Sequence, residues 1–338
     1  MKPNDIDWGM FPDRGTFGIG RMIRIKDKFI QVLFQSEKDA NRIMSPFRHL
    51  ETDSDMIGES SLRIYVFQNI EPGNDFPVWE SLNRWASEGE KLQMYNRETR
   101  HILYNDESKV LTAIDTQSAE AYYYMPCLDS MPYYEKAAPM RMIFHHWAQS
   151  NGMLLIHGAC IGLGGKGLLL AGKGGTGKST TAISAALAGF DFLGDDYLLA
   201  DPTDRTIHSL YGSSKIRWDA TQILPVAGTL TVNRREEDEK GIFFLKDVES
   251  CRLSKSLMLG AVILPKIGGG QLSTYNRTTM TEGLMPLASS TIFQMPGSGK
   301  ETLNAISSLL KGIPVFRMSL SQDTDEINSK LREIISNL

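Results

Sequence analysis

Short runs of β-branched and aromatic residues, separated by polar turns, recur through residues 1–133 of the chain. Runs of this composition and length are typical of strands. The pattern predicts strands at 29–34, 62–67, 101–104, 110–114 and 121–125. The last run contains Tyr122–Tyr124, which could stack a ligand, although a strand with one half-buried face is the favoured interpretation. The sequence therefore predicts a β-rich, α+β amino-terminal half, and no catalytic pattern is recognisable in it.

Apolar residues at helical spacing come next and predict a helix from about Glu135 to Ser150. The residues that share its apolar side are Met140, Ile143, Phe144 and Trp147. We place the domain boundary at this helix, which divides the chain into residues 1–133 and 134–338.

From Leu154 onward the pattern alternates between buried strands and helices, which is typical of an α/β domain. Strands are predicted at 154–163, 167–171, 191–194, 228–233, 242–245, 259–264 and 313–319. Helices are predicted at 178–188, 301–311 and 324–337. Gly268–Gly270 is interpreted as a flexible turn or loop. Pro296–Lys300 is interpreted as a loop, because its glycine–lysine cluster lacks the residues that a phosphate-binding loop requires.

A complete phosphate-binding loop lies between the strand predicted at 167–171 and the helix predicted at 178–188. Its glycines let backbone N–H groups turn toward phosphate oxygens, and the start of the helix adds a partial positive charge. Lys178 is expected to reach the β- and γ-phosphates of ATP, and the Ser179 hydroxyl to bind Mg²⁺. The predicted nucleotide-binding residues are Gly172, Lys173, Gly174, Gly175, Thr176, Gly177, Lys178, Ser179 and Thr180.

Two adjacent carboxylates, Asp195 and Asp196, end the strand predicted at 191–194, one helix after the loop. We expect that strand to be a near neighbour of the strand before the loop, which would bring both carboxylates to the bound phosphates. One carboxylate can then bind the metal while the other accepts a proton from an attacking hydroxyl. A turn at a strand end is the structural alternative for this pair. His157, on the strand predicted at 154–163, is by residue type alone more typical of a structural role.

Three segments together resemble the catalytic core of the HPr kinase/phosphorylase family: Ile156–Gly158, Gly167–Ser179 and Gly189–Asp196. The resemblance covers residues 156–196 and implies a P-loop kinase core of the HPr-kinase/PEP-carboxykinase-like type. It implies transfer of the γ-phosphate of ATP to a serine hydroxyl by a catalytic set of Asp195, Asp196, His157 and Lys178, with Ser179 and Asp196 at the metal. Members of the family form rings, so a homo-oligomer is compatible with it.

The chain also departs from that family. Ser179 is followed by Thr180 where bifunctional members have glutamate, and 208–218 replaces their glycine-rich segment after the acidic pair. The sequence is therefore more similar to divergent HPr-kinase-like proteins, including kinases that phosphorylate a serine of a lasso-peptide precursor. The resemblance then makes residues 134–338 the catalytic domain and 1–133 an accessory or substrate-facing domain. A sugar or other small-molecule kinase, an NTPase, and a nucleotide-binding regulator remain alternatives.

Three further cations, Lys215, Arg217 and Arg277, are candidates for stabilising the transferring phosphoryl group. Lys215 and Arg217 alternate along a possible strand, so that both can face one cleft. Arg277 follows the glycine-rich turn at 268–270.

Composition narrows the classes of partner. The hydrophobic fraction of 41% and charged fraction of 22% are those of a globular protein, and the formal net charge of −4 gives no nucleic-acid-binding signature. No apolar run is long enough to span a bilayer, and the first residues lack the apolar centre of a secretory signal. Cys127, Cys160 and Cys251 lie far apart, which favours buried thiols in a reducing cytoplasm over a zinc site.

Overall fold

The computed structural model describes residues 11–52, 60–68, 92–233, 238–268, 270–295 and 299–338. They form a mixed α/β protein of two compact units. The first unit takes the chain to Met44 together with Glu51–Ser150, and the second takes Ser45–Leu50 together with Asn151–Leu338. The chain thus divides after Ser150, at the end of the helix predicted at 135–150, whereas the sequence placed the boundary at 133/134. Within the predicted loops, Gly269 and residues 296–298 lie outside the described residues.

The described part of the first unit is built on a sheet of eight strands. They are β1 (Ile19–Ile25), β2 (Lys28–Phe34), β3 (Glu51–Thr52), β4 (Ser60–Gln68), β5 (Leu92–Arg97), β6 (Arg100–Asn105), β7 (Val110–Asp115) and β8 (Glu120–Met125). Their order is β3-β1-β2-β4-β8-β7-β6-β5. The β2–β4 and β4–β8 pairs are parallel, and the other pairs are antiparallel. All five predicted strands of this half are confirmed, whereas the strands at 19–25, 51–52 and 92–97 were not predicted.

The tyrosines of β8 are buried on both faces of the sheet, with Tyr122 and Tyr124 4% exposed and Tyr123 fully buried. The expected half-buried face is therefore wrong for this strand. The Tyr122 ring stacks on Phe11 at 4.1 Å between centroids and on Tyr65 at 5.2 Å, so it contributes to an aromatic core.

Among the described residues of this unit, the helices are α1 (Glu37–Ile43), α2 (Tyr133–Ala137) and α3 (Arg141–Ser150). The single helix predicted at 135–150 is thus two helices. Pro139 has no N–H to continue the first helix, and Met140 adopts a left-handed φ of 60°, which breaks the hydrogen-bond ladder. The predicted apolar side of α3 is confirmed, since Ile143, Phe144 and Trp147 are buried.

Three histidines of the first unit are packed against one another. The rings of His101 and His146 stack at 3.8 Å between centroids, and the His145 ring lies 4.9 Å from that of His146. Among the described residues, neither ring nitrogen of His145 has a hydrogen-bond partner. Burial, and then the charges of His101 and Arg141, lower the pKa of His145 to about 4.

We expect this cluster to make the protein less stable at acid pH. Because the pKa of His145 is lower in the folded chain than its ordinary value, the unfolded chain binds the proton first as the pH falls. The contribution of neutral His145 to the free energy of unfolding is complete above the ordinary histidine pKa, and it is lost as the pH falls toward about 4. Between about pH 7.5 and about pH 5, His145 should account for roughly 2 kcal/mol of lost unfolding free energy. Urea unfolding of the wild type and His145→Met at both pH values measures this share. Equal losses in the two proteins would contradict the assignment to His145.

The second unit contains twelve strands among its described residues. They are β9 (Leu154–His157), β10 (Ala159–Leu163), β11 (Lys166–Leu170), β12 (Asp191–Gly194), β13 (Tyr197–Asp201), β14 (Thr206–His208), β15 (Ser213–Arg217), β16 (Lys240–Phe244), β17 (Arg252–Leu253), β18 (Ser256–Ile267), β19 (Thr274–Thr278) and β20 (Val315–Leu320). The main sheet has the order β17-β12-β10-β11-β18-β14-β13-β9, with β20 pairing β18 and β19, while β15 and β16 form a separate pair.

Helices cover both faces of this sheet. They are α4 (Lys178–Leu187), α5 (Pro225–Thr229), α6 (Met280–Gln294), α7 (Lys300–Leu310) and α8 (Thr324–Ser336). Successive side chains of β11 point to opposite faces, as a strand requires. Leu168 and Leu170 pack with α4 and α8 in one core cluster, and Leu169 packs with α6 and α7 in another. The central strand that precedes the loop is therefore held rigidly from both sides.

Two predicted strands differ from the structure: one is interrupted and the other is absent. The strand predicted at 154–163 is interrupted at Gly158, where a Cβ would lie 3.0 Å from the Leu170 carbonyl oxygen. The strand predicted at 228–233 is not a strand. Residues Pro225–Thr229 form a helix that begins at the proline, whose fixed φ favours the first helical position. Helix α6 was not predicted, since Gly283 and Pro286 interrupt its helical pattern.

Candidate functional site

The glycine-rich loop connects β11 to α4 in the order that the sequence predicted. Gly172, Gly175 and Gly177 have φ values of 152°, 81° and 101°, a region that other residues rarely adopt. A Cβ on Gly177 would also lie 2.6 Å from Cδ1 of Leu320. The glycines are thus needed for the course of the loop, which delivers the chain to the first turn of α4.

Lys178 is the first residue of α4, and its side chain folds back over the loop. Its Nζ donates to the carbonyl oxygen of Gly172 at 2.8 Å and to that of Lys173 at 3.1 Å. Burial lowers the pKa of Lys178, although the charges of Asp195 and Asp196 act in the opposite direction. The arrangement places a desolvated ammonium group beside the amides of the helix start, a setting in which an anion is strongly favoured.

The acidic pair lies at the bend of a two-stranded ribbon. Strand β9 pairs with β13, and β10 pairs with β12. The pairing is interrupted between them, at Gly158 in one chain segment and at Asp195–Asp196 in the other. The Gly158 N–H donates to the Asp196 carbonyl oxygen at 3.0 Å across this bend. Asp196 has a left-handed φ of 72°. Interrupted pairing of this kind turns side chains out of the regular alternation of a strand.

Strands β11 and β12 are near neighbours, as the sequence predicted, with β10 between them. Both are antiparallel to β10, so their carboxyl ends still meet at the same edge of the sheet. The Ser179 hydroxyl donates to Oδ1 of Asp195 at 3.0 Å, which joins the loop directly to the acidic pair.

Asp195 and Asp196 have opposite electrostatic environments. Burial, and then the charge of Asp196, raise the pKa of Asp195, whose Oδ2 accepts a hydrogen bond from the Ser214 hydroxyl at 2.7 Å. Burial acts to raise the pKa of Asp196 too, but the Lys215 ammonium and then His157 outweigh it and hold that pKa well below its usual range. Asp196 is therefore an ionised carboxylate.

Two of the predicted residues flank Asp196. Lys215 forms an ion pair with Asp196 and its side chain is 12% exposed, while the charge of Asp196 raises the pKa of Lys215 against the effect of burial. Nε2 of His157 lies 3.7 Å from Oδ1 of Asp196. The structure thus brings Lys178, Ser179, Asp195, Asp196, His157 and Lys215 together at one edge of the sheet.

The other two predicted cations lie elsewhere. Arg217 forms an exposed ion pair with Asp219 at 2.6 Å. It lines a pocket of about 330 Å³ that also includes Gly175, Gly177 and Thr180. Arg277 lies on β19, opposite Phe316 of β20. Among the described residues, neither arginine pairs with the acidic residues of the site.

Several contacts of the site were not predicted. The Thr291 hydroxyl accepts from the His157 N–H at 3.0 Å, and the Ser290 hydroxyl donates to the His157 carbonyl oxygen at 3.3 Å. Helix α6 therefore fixes the backbone that carries His157. The hydroxyls of Ser214, Ser290 and Thr291 come from segments remote in sequence, and no motif marks them.

A cleft of about 1040 Å³ opens beside the loop. His157 and the loop residues Gly172, Lys173, Gly174 and Thr176 line one part of it, and residues of α6, β18, β19 and β20 line the rest. Its volume is in the range of pockets that hold small ligands.

The residues at the loop fit a magnesium ion bound together with a nucleotide. Mg²⁺ in such sites takes one or two protein oxygens, and phosphates and water complete its shell. The Ser179 hydroxyl and the Asp195 carboxylate supply two oxygens in direct contact with each other. In the described part of the chain there is no group of three or more histidine, cysteine or acidic residues that could hold a metal without a phosphate ligand.

No described helix is long and apolar enough to cross a membrane.

Comparisons with known proteins add little to what the geometry of the site shows. No family model matches the chain, and no curated protein matches it. Among solved structures, the HPr(Ser) kinase/phosphatase from Coxiella burnetii is similar to this chain, with 12% identity and a TM-score of 0.29. The similar region covers 53% of this chain and 94% of the Coxiella chain. A likeness of that extent is too low to carry an inference about activity.

Proposed function

We propose that the protein is an ATP- and Mg²⁺-dependent phosphotransferase that acts on a hydroxyl group, most simply a serine of a peptide or protein. The observation that carries this proposal is the 3.0 Å contact from the loop serine, Ser179, to Asp195, next to a second carboxylate. A nucleotide-binding loop alone is enough for a binding protein. An additional ionised carboxylate paired with a lysine beside that loop supports group transfer.

The contacts also suggest how the roles are divided. The loop amides and Lys178 hold the β- and γ-phosphates of ATP. Because the Ser179 hydroxyl donates to Asp195, we assign Asp195 to the metal side, although the sequence had placed Asp196 there. When bound, Mg²⁺ supplies charge that neutralises the phosphate oxygens.

Asp196 is then the residue that orients and deprotonates the acceptor. The hydroxyl oxygen of the acceptor forms a bond to the γ-phosphorus, and the bond from that phosphorus to the β–γ bridging oxygen breaks. The acceptor proton passes to the carboxylate of Asp196, and ADP is the leaving group. Lys215 keeps Asp196 ionised, and His157 lies on the same side. A carboxylate with a low pKa suffices, because in a loose transition state the proton is transferred late.

A direct test measures phosphate transfer by mass spectrometry after incubation with ATP, with Mg²⁺ or with EDTA, against serine peptides and common sugars. Mg²⁺-dependent addition of one phosphate to an acceptor is the expected result. Transfer to a sugar alone would support the small-molecule alternative. ATP hydrolysis without a labelled acceptor would support an NTPase, and binding without turnover would support a regulator.

A further inference from the structure

Helix α6 presents an apolar face to the cleft beside the loop. Met285, Ser289 and Phe293 follow one another at four-residue spacing and all line the cleft. Phe293 is 87% exposed and Met285 is 59% exposed. The opposite side of the helix is buried through Leu287 and Ala288. The exposed residues are therefore not needed to hold α6 on the sheet, and exposed apolar groups at a cleft mark an interaction surface.

The same helix is tied to the site. Ser290 and Thr291 hold the backbone of His157, which itself lines the cleft. Strand β18 adds Leu264 and Pro265 to the lining. An extended occupant of the cleft would thus contact apolar groups at one end and reach the neighbourhood of His157 at the other.

The charged residues of the cleft are cations. Among the described residues, its lining contains Lys173, Lys266 and Arg317 and no acidic residue. Lys173 belongs to the loop, and Arg317 is paired with Glu282. Lys266 is exposed and forms no ion pair with any described residue. It is the cation left to meet a carboxylate of an occupant.

The pocket with Arg217 shares no lining residue with the cleft. It is lined by Thr180, Thr181 and Ser184 of α4 and does not include His157. A nucleotide has to leave the loop on one side, and its acceptor has to approach from the side of the catalytic carboxylate. Because His157, the neighbour of Asp196, lines the larger cleft, that cleft is the acceptor side.

We propose that this cleft binds the acceptor as a peptide that carries a large apolar side chain near the phosphorylated serine and an acidic residue that contacts Lys266. This inference rests on the proposed function. Phe293 and Met285 would hold the apolar side chain and thereby set the choice of substrate, without touching the reacting atoms.

The experiment uses the 338-residue chain, ATP with Mg²⁺, and a peptide library that has a fixed serine and varied flanking residues. The wild type is expected to prefer peptides with phenylalanine, leucine or methionine at one flanking position over glycine, by roughly tenfold or more. Phe293→Ser should raise KM for the preferred peptides by roughly tenfold and leave kcat little changed. Lys266→Glu should weaken or reverse a preference for glutamate over lysine. Met258→Ser is the matched control, because Met258 is 63% exposed on β18 but does not line the cleft.

The outcomes separate this inference from the function on which it rests. If the wild type transfers phosphate but Phe293→Ser keeps the same peptide preference, or if only sugars are phosphorylated, the acceptor assignment is wrong. Weaker binding of a fluorescent ATP analogue by Phe293→Ser, with unchanged peptide selection, would mean that the cleft holds the nucleoside. A wild type that neither binds nor consumes ATP would overturn the proposed function itself.

Discussion

Replacing Asp196 with asparagine is expected to lower the rate of phosphate transfer by roughly a thousandfold, while ATP binding changes by only a few-fold. A positioned general base contributes about 10²- to 10⁴-fold to such reactions. Asparagine keeps the size of the side chain and tolerates the left-handed φ of 72°, but it cannot accept the acceptor proton. Single-turnover phosphate transfer, with ATP binding measured separately, distinguishes the two effects.

The matched control is Asp191→Asn. Asp191 is the first residue of β12, at the end of that strand remote from the acidic pair. Its Oδ1 lies 3.3 Å from Nε of Arg252. Its replacement should leave transfer unchanged. Because Asp196→Asn removes the negative charge that pairs with Lys215, circular dichroism and ATP binding verify that the variant is folded. A folded Asp196→Asn protein that transfers phosphate at the wild-type rate would rule out Asp196 as the base.

Replacing Lys178 with alanine is expected to weaken ATP binding by roughly ten- to a hundredfold, since hydrogen bonds to charged groups contribute about 1.5–3 kcal/mol. Transfer should fall further, by roughly a hundredfold or more, because charge accumulates on the phosphate oxygens in the transition state. Lys178→Ala should weaken the binding of the nucleotide much more than the binding of the acceptor. Titration calorimetry with ATP and Mg²⁺ measures the first effect, and single-turnover kinetics the second.

The free energy of unfolding should change little, because the loss of two hydrogen bonds to loop carbonyls is opposed by the removal of a cation that burial desolvates. Lys166→Ala provides the comparison, since Lys166 is an exposed lysine at the other end of β11. If Lys178→Ala bound ATP as tightly as Lys166→Ala does, the loop would not be the nucleotide site.

The amino-acid pattern predicted local structure well wherever local residues decide it. The strands before and after the loop, helix α4, and the carboxyl-terminal helix at 324–336 follow from apolar periodicity and from the residues at their ends. Asp323, for example, accepts hydrogen bonds from two backbone N–H groups at the start of α8. Prediction failed where distant contacts decide. Helix α6 contains Gly283 and Pro286, and it is held by packing of Leu287 and Ala288 on the sheet.

For the candidate site, the sequence by itself determined the loop, its glycines, Lys178, Ser179 and the acidic pair. These are contiguous residues whose conformations and charges follow from their own chemistry. Only the tertiary structure decided how they meet: β10 lies between the two strands, Ser179 contacts Asp195 rather than Asp196, Lys215 pairs with Asp196, and Arg217 and Arg277 lie elsewhere. The physical reason is that the order of strands in a sheet and the burial of charged groups depend on contacts between segments far apart in the chain. No local pattern of residues records such contacts.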